Sequence, residues 1–458
     1  MQFSLKGFHR FNIKVILTRN YGKEIIASSL KLCLSLMPYL MIGIDDTDWE
    51  GGGCTTYVMY SFIKYLVREN LIRSVIGLPR LTRLNPYVPF KTRGNASLSV
   101  IIYVESEDDA KDHVELMESL INQMVKRVGK TSPGIAYLVI RNMLKVDERL
   151  TWFYRKSVRD IVTLDLARKV ASKVNAKLMG GRGTIGALAS LGFIPIDATY
   201  EFIAYRPEDE DRPMINPIDV KHWDHTTRPF TFLNINEDQV LIEPHGPDPV
   251  LFGVRGDSPY HVLAMGNYLA NKYNAIGWII YVTNQGTNDH RSRASEYIPY
   301  RNVDLIGILM NAVFDDKGHV HLTLDDAHKA IAYRHLGVSK ELANCVGCMV
   351  EVWGGVKPNE KLDLYIEGMR VLHDRYVEVR NPRCPRCGGP MESMGRSGLL
   401  RCKRCGFEGK LPRIIIPRNN WFLINPKASE YRHLMKPNER VGLEGLALYM
   451  PKPYLWVY

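Results

Sequence analysis

The segment MIGIDDTDWEGGGCTTY, Met41 to Tyr57, concentrates the residues best suited to chemistry. Asp45, Asp46 and Asp48 stand around Thr47 directly after an apolar run. Three clustered carboxylates repel one another unless solvated or neutralised by a cation. Magnesium suits them, because it takes oxygen ligands and is usually held by one or two carboxylates plus substrate phosphates. Gly51, Gly52 and Gly53 then lead into Cys54, Thr55 and Thr56, where a helix is expected to start. A glycine-rich turn into a helix N-terminus offers free N–H groups and a positive dipole end to phosphate. Carboxylates beside a phosphate cradle point to nucleotide chemistry, although the segment holds no Walker-type G-x-x-x-x-G-K-[ST] loop. An acidic turn capping an ordinary helix is the plainer alternative, since acidic turns are common.

Two further stretches extend this reading. GGRG, Gly180 to Gly183, leads into TIGALASLG and repeats the glycine-to-helix pattern, with Gly181, Arg182 and Gly183 placed to meet phosphate; a packing turn is the alternative. LPRLTRLNPYVPFKTRGNAS interleaves Arg80, Arg83, Lys91 and Arg93 with Tyr87 and Phe90, which suits phosphate contacts and base stacking as well as it suits a solvated loop.

The cysteines give the most specific local signal. C-P-R-C-G-G at Cys384 to Gly389 and C-K-R-C-G at Cys402 to Gly406 are two knuckles whose four thiolates, Cys384, Cys387, Cys402 and Cys405, match tetrahedral zinc. Four cysteines leave no open coordination position, so this zinc is structural. Arg386 and Arg404 crowd the knuckles and suit nucleic acid. Cys345 and Cys348 form a third C-x-x-C pair without evident partners and read as buried core thiols.

The elements that must position these groups follow from periodicity. Met41 to Ile44 reads as a buried strand, Thr55 to Asn70 as a helix, Val75 to Leu84 and Ser97 to Glu105 as strands, and Ser106 to about Arg127 as a capped helix. WFYRKSVRDIVTLDLARKVASKV reads as one long basic helix. Tyr200 to Tyr205 is a strand, Thr231 to Gly256 paired strands, and Pro259 to Lys272 a helix. The spacing from Val75 onward hints at a ferredoxin-like unit within an α/β or α+β architecture. From Ile276 short strands dominate: GWIIYVTNQG, VDLIGILMNAVFD, HVHLTLDD, MVEVWGGV and KLDLYIEGMRVL, interrupted by a helical HKAIAYRHLG. Five strands and one helix are what a small OB-type barrel needs. After Lys410 the tail is basic and apolar, with Trp421, His433 and Trp456.

At 458 residues the chain admits about three to four domains. Lys and Arg number 60 against 49 Asp and Glu, a net +11 that favours a polyanionic partner such as nucleic acid. Six of the eight cysteines in C-x-x-C pairs suit metal binding in a reducing compartment better than a secreted disulfide framework. No 18-residue uncharged apolar run exists, so no membrane span is expected and a cytoplasmic location is.

GIDDTD with CTTY, TSPGIAYL, FYRKSVRDIV, GGRGTIGALASLG, PHGPDPVLFGVRG, TNQGT and the terminal ribbon, in this order from Met41 onward, closely resemble the archaeal tRNA 2-agmatinylcytidine synthetases, the TiaS family. The resemblance implies ligation of agmatine to the 2-position of the wobble cytidine of the isoleucine tRNA with anticodon CAU. ATP first phosphorylates the cytidine at its 2-carbonyl, and the agmatine amine displaces the phosphate. It implies α+β architecture: a 1–39 extension, a kinase-like domain interwoven with a ferredoxin-like domain over 40–275, an OB fold over 276–378, and a zinc ribbon with its tail over 379–458. It also implies self-phosphorylation at Thr55, with ATP, magnesium and zinc as cofactors. A carboxylate should hold the agmatine guanidinium; Asp197, Asp224 and Asp248 are the candidates. Trp49, Glu50, Gly53 (for a usual methionine) and Ser132 (for Asp or Asn) depart from the family pattern. A non-enzymatic tRNA-binding protein would need the barrel and ribbon but neither the aspartates nor the two glycine turns.

Overall fold

In the computed structural model the described residues are 38–71, 75–92, 94–141, 146–325, 328–358, 362–374, 377–395, 398–417, 422–446 and 457–458. The expected extension up to residue 37, and Arg93, lie outside them.

The organising strand is β1 (Tyr39–Asp45), and it is buried on both faces. Its alternation sends Leu40, Ile42 and Ile44 towards helices α1 (Thr55–Arg68) and α2 (Glu107–Met124). Tyr39 and Met41 face α3 (Glu148–Arg159), α4 (Leu164–Val174) and α5 (Thr184–Leu191). A strand covered by helices on both sides must be apolar throughout, which is why MIGI shows no polar face. At Gly43 the helix α5 lies directly on the strand: an added Cβ would stand 2.4 Å from the Ala187 carbonyl oxygen.

β1 belongs to an eight-stranded sheet that also contains β2 (Arg80–Arg83), β3 (Ala96–Tyr103), β4 (Gly134–Ile140), β5 (Lys177–Gly180) and β6 (Thr199–Tyr205). After α6 (Pro217–Thr227) and a minimal hairpin of β7 (Ile235–Asn236) and β8 (Gln239–Val240), β9 (Val250–Gly256), helix α7 (Pro259–Lys272) and β10 (Gly277–Thr283) complete it. The strand order is β5-β4-β1-β3-β2-β10-β6-β9, and β2 with β10 is its parallel pair. Helix α7 covers the β6–β9 end through Val262, Met265 and Leu269.

A closed barrel follows, built from β11 (Asn302–Phe314), β12 (Val320–Leu324), β13 (His328–Ala332), β14 (Met349–Val356) and β15 (Leu364–His373) in the order β11-β12-β13-β15-β14. Two expectations are corrected here. HKAIAYRHLG is not a helix: it forms β13 and one 3₁₀ turn, because Ala330 and Ala332 fill the barrel interior opposite Leu322 and Val320. Cross-strand pairing overrides the helix preference of alanine. GWIIYVTNQG forms β10, paired with β6 and β2 in the large sheet rather than in the barrel. A strand buried on both faces reads alike in either place, so its sequence does not name its partners. Cys345 and Cys348 are buried in the barrel core, with the Cys348 Sγ 3.3 Å from the Asp374 carboxylate.

Strands β16 (Val377–Arg380) and β20 (Ile414–Pro417) pair with each other and flank a ribbon of β17 (Met391–Ser393), β18 (Leu400–Cys402) and β19 (Glu408–Gly409). The tail then returns across the molecule. Leu423 and Ile424 close the barrel core, and Leu434 packs on the α3–α5 side of the sheet. The buried Arg440 is gripped by Asp257 and Asp197. Among the described residues no helix is long and apolar enough to cross a membrane.

Candidate active site

The end of β1 meets the start of α5. An added Cβ on Gly183 would lie 2.5 Å from the Asp45 carbonyl oxygen, and one on Gly186 would strike the Asp45 carboxylate. The glycines of GGRGTIG therefore let a helix start sit on the acidic strand end. Asp46 adopts a left-handed backbone, φ 57°, which turns the chain sharply, and its N–H donates to the Asp45 Oδ1 at 2.7 Å. Arg182 donates to the Asp46 carboxylate at 2.9 Å and to the Lys130 carbonyl at 2.7 Å. The 130–132 turn completes the clamp. Thr131 Oγ1 donates to the Asp48 carbonyl, and Ser132 Oγ accepts from the Arg182 N–H. Ser132 thus supplies the acceptor that an Asp or Asn would supply there.

Lost hydration, and next the charge of Asp46, hold the Asp45 carboxyl well above the ordinary carboxylate range. Asp46 is raised by its burial against the pull of Arg182. The three aspartates line one cleft of about 480 Å³ with Lys91, Gly94, Asn95, Ser157, Asp160, Arg182, Gly183 and Gly186. Among the described residues only the four ribbon cysteines draw three or more metal-ligating atoms within 4.8 Å of one another. The aspartates are therefore not a closed three-carboxylate cage. They fit a magnesium ion held by one or two carboxylates plus substrate phosphates, which would relieve the repulsion at Asp45.

One wall of this cleft was not legible in advance. The expected long helix breaks between α3 and α4 at Asp160 to Thr163. Asp160 Oδ1 caps the Ile161 N–H, and Thr163 Oγ1 caps α4 at Leu166. The break turns Asp160, Ile161, Val162 and Thr163 into cleft lining.

The triglycine is occupied differently from the expectation of an open cradle. Trp49 and Gly52 exchange backbone hydrogen bonds of 3.0 and 3.2 Å, and the indole covers the glycines. Gly53 has φ 68°, and a Cβ there would come 2.2 Å from the Trp49 ring. The unusual Trp49 and the unusual Gly53 are thus complementary: the space the methionine would take is filled by the indole. Thr55 is buried at 7% exposure, its Oγ1 accepting from Thr47 at 3.1 Å, and it does not line the cleft. Thr56 Oγ1 lies 2.9 Å from the Cys54 Sγ, and its carbonyl accepts from the Tyr281 hydroxyl.

A second cleft, of about 620 Å³, adjoins the first; Leu84, Lys91, Gly94 and Asn95 line both. Five cations face it: Arg83, Lys91, Arg255, Lys357 and Arg432, with Tyr87, Tyr300, Tyr431 and His433. Its residues come from the sheet, the barrel and the tail. Arg83 and Arg255 share the buried Glu201, at 3.8 and 3.1 Å. Lys357 lies 3.9 Å over the Tyr365 ring, and Arg432 lies over Tyr87. Of the expected RNA contacts, Arg83 and Lys91 line this cleft. Arg80 is corrected: its guanidinium donates to the Phe193 carbonyl and lines neither cleft.

The candidate agmatine carboxylates are also not brought to either cleft, and each already carries an arginine. Asp197 pairs with Arg440, Asp224 with Arg228, and Asp248 with Arg212. At the ribbon, the Cys384–Cys405 and Cys387–Cys402 sulfurs are 3.6 and 3.5 Å apart. The N–H groups of Arg386 and Arg404 point at Cys384 and Cys402, while both residues are exposed. Four sulfurs within 4.8 Å, with knuckle N–H groups turned to them, fit a tetrahedral zinc.

An acidic cleft with a clamped arginine, adjoining a basic and aromatic one, suits a nucleotide-dependent enzyme acting on RNA. Comparison with known proteins narrows this. Family profiles described as the TiaS TCKD domain, the TiaS FLD domain and the TiaS C-terminal zinc ribbon domain match residues 41–181, 181–290 and 381–419. The chain is 41% identical over 420 residues to TiaS, the isoleucine-tRNA 2-agmatinylcytidine synthetase, of Caldivirga maquilingensis, covering 91% of this chain and 99% of that one. It is 37% identical over 401 residues to that of Pyrococcus horikoshii, covering 82% and 90%. It resembles the crystal structure of TiaS in complex with its isoleucine tRNA and ATP, with TM-score 0.65, 30% identity and coverage of 88% and 97%. A complex of TiaS with the same tRNA, AMPCPP and agmatine matches with TM-score 0.65, 28% identity and coverage of 88% and 96%. The chain belongs to the TiaS family.

Proposed function

We propose that this protein ligates agmatine to the 2-position of the wobble cytidine of the CAU-anticodon isoleucine tRNA, with ATP, through a phosphorylated cytidine. The observation that carries the reading beyond family membership is the junction of the two clefts through Lys91, Gly94 and Asn95. Phosphoryl transfer depends on positioned charge more than on a protein nucleophile. The acidic cleft supplies it: Asp45, Asp46 and Asp48 would hold magnesium, which neutralises charge developing on the transferred phosphoryl group. Arg182, with Gly181 and Gly183, meets the ATP phosphates at the start of α5. A cytidine cannot react while stacked, so it is flipped out of the anticodon loop to the junction. Arg83, Lys91 and their neighbours hold the flanking phosphates. Arg386 and Arg404 on the zinc ribbon hold a second part of the tRNA.

The domain readings belong to this proposal. The barrel's strand order, with β14 closing on β11, supports reading it as an OB fold, and the large sheet is read as the kinase-like domain fused edge to edge with the ferredoxin-like one at β2 and β10. Thr55 is the self-phosphorylation site and Thr56 the fallback; the buried Thr47–Thr55 contact has to open for it. A binding-only protein would have no use for the Asp45–Arg182–Gly186 arrangement.

The test is nucleoside mass spectrometry of unmodified tRNA incubated with the protein, ATP and agmatine. Agmatidine at the wobble position is the expected product, dependent on both small molecules. Tight tRNA binding without magnesium-dependent ATP turnover would return the protein to the binding-only class.

A further inference from the structure

His433 lines the basic cleft beside Gly94, where the two clefts adjoin, and its chemical state there is set by a chain of hydrogen bonds. Glu201 is buried at 3% exposure on β6 and accepts from the Gln285 side-chain amide nitrogen, as well as from Arg255. That contact leaves the Gln285 Oε1 as an acceptor only. Oε1 lies 2.9 Å from the His433 Nδ1, so Nδ1 has to carry the proton. In a neutral imidazole the other nitrogen, Nε2, then presents a lone pair. Nε2 looks towards Gly94, one of the four residues common to both clefts: an added Cβ on Gly94 would lie 3.8 Å from it and 3.1 Å from Arg83.

We propose that His433 is a specificity-determining residue, its Nε2 accepting a hydrogen bond from the exocyclic amino group of the flipped cytosine. This rests on the reading above, in which the base enters between the clefts. The same lone pair meets the O4 of a uracil with repulsion, because two acceptors cannot share a proton that neither carries. A site built to hydrogen-bond one partner strongly rejects the analogue lacking the donor. The surroundings favour an acceptor over a general base. Lost hydration and the charges of Arg83, Arg255 and Lys91 hold His433 well below the ordinary imidazole range, so it stays neutral and does not retain a proton taken from an incoming ammonium. The amide of Gln285 is the lock: with its nitrogen turned to Glu201, the alternative tautomer of His433 would set two lone pairs against each other.

The test uses the full chain with ATP and agmatine and two tRNA transcripts that differ only in C or U at the wobble position. The readouts are the product rate and, separately, tRNA affinity. The native protein should modify the C transcript and leave the U transcript at background. His433→Asn, whose amide can present either an acceptor or a donor, should narrow the C-to-U ratio by at least about tenfold while tRNA affinity holds. His433→Ala should lower kcat/KM for C by about ten- to a hundredfold. Gln285→Leu keeps the histidine but frees its tautomer, and should shift the ratio in the same direction as His433→Asn. An unchanged C-to-U ratio in both His433→Asn and Gln285→Leu overturns the proposal. Absence of product from the native protein on the C transcript overturns the functional reading instead.

Discussion

The carboxyl of Asp45, the proposed magnesium ligand, carries a stability cost of its own. Its pKa is raised on folding, so the folded state binds that proton more tightly than the unfolded chain. The associated stability is full below the ordinary carboxylate pKa and is lost as pH rises through the raised value. Without a divalent cation, thermal stability should therefore fall over that window, and Asp45→Asn should remove the fall and melt higher near neutral pH. The same substitution should cut ATP-dependent modification on the order of 10³-fold, since a metal-holding charge is gone. Melting curves in chelator across pH, beside single-turnover rates with magnesium, check both halves. A melting point that drops in Asp45→Asn would mean that its hydrogen bond from Asp46 outweighs the buried charge. Trp49 and Gly53 make a second residue-scale case. Gly53→Met should destabilise the native chain by about 1–3 kcal/mol through overpacking and backbone strain, yet be tolerated better with Trp49→Ser. Denaturant midpoints of the two single variants and the double variant measure the coupling; additive losses would count against the complementarity.

At the scale of elements, the decisive contact is α5 upon β1. Gly43, Gly183 and Gly186 are each placed where a Cβ would meet backbone or the Asp45 carboxylate. Gly186→Ala should thus leave the fold and tRNA affinity near native and displace Asp45 from its position, lowering kcat rather than raising the KM for tRNA. A native kcat would show that the carboxylate relaxes freely. The interruption between α3 and α4 belongs to the same scale. Ile161, Val162 and Thr163 are β-branched, poor helix formers in sequence, and Thr163 is a good cap. That signal was present in FYRKSVRDIVTLDL, but the amphipathic period running through both halves obscured it.

For the whole molecule, the two clefts are assembled from distant parts of the chain. The tail supplies Tyr431, Arg432 and His433 to a cleft whose other side is the sheet and the barrel. The ribbon, in contrast, is a small unit with its own core around Cys384, Met391, Leu400 and Cys402. Cys402→Ser should release zinc and weaken tRNA binding while leaving ATP-dependent self-phosphorylation largely intact. Metal analysis, filter binding and γ-labelled ATP on one preparation separate the effects; equal loss of all three in a folded protein would refute that division. Affinity for tRNA should also fall steeply with salt, because clustered Arg and Lys displace counterions from phosphate. A nearly flat salt dependence would remove the basic cleft from the RNA-binding surface.

The ordering of motifs along the chain was enough to place the carboxylates at a strand end, the glycines at helix starts, the zinc ligands, and the family. These are local facts: a thiolate pair, a glycine turn and an apolar strand are each specified by neighbours a few residues away. The sequence could not say that β10 joins the large sheet, that His328 to Ala332 is a strand, or that Arg80 turns inward. Nor could it say that Asp197, Asp224 and Asp248 are already paired with arginines. Each of these depends on partners brought together by the fold or on which face of a strand is covered, and burial selects between readings that local propensity leaves equal. The junction of the two clefts, with His433 held as a neutral acceptor through Gln285 and Glu201, exists only in the tertiary structure. Residues 201, 285 and 433 share no motif, and their chemistry arises from being packed together.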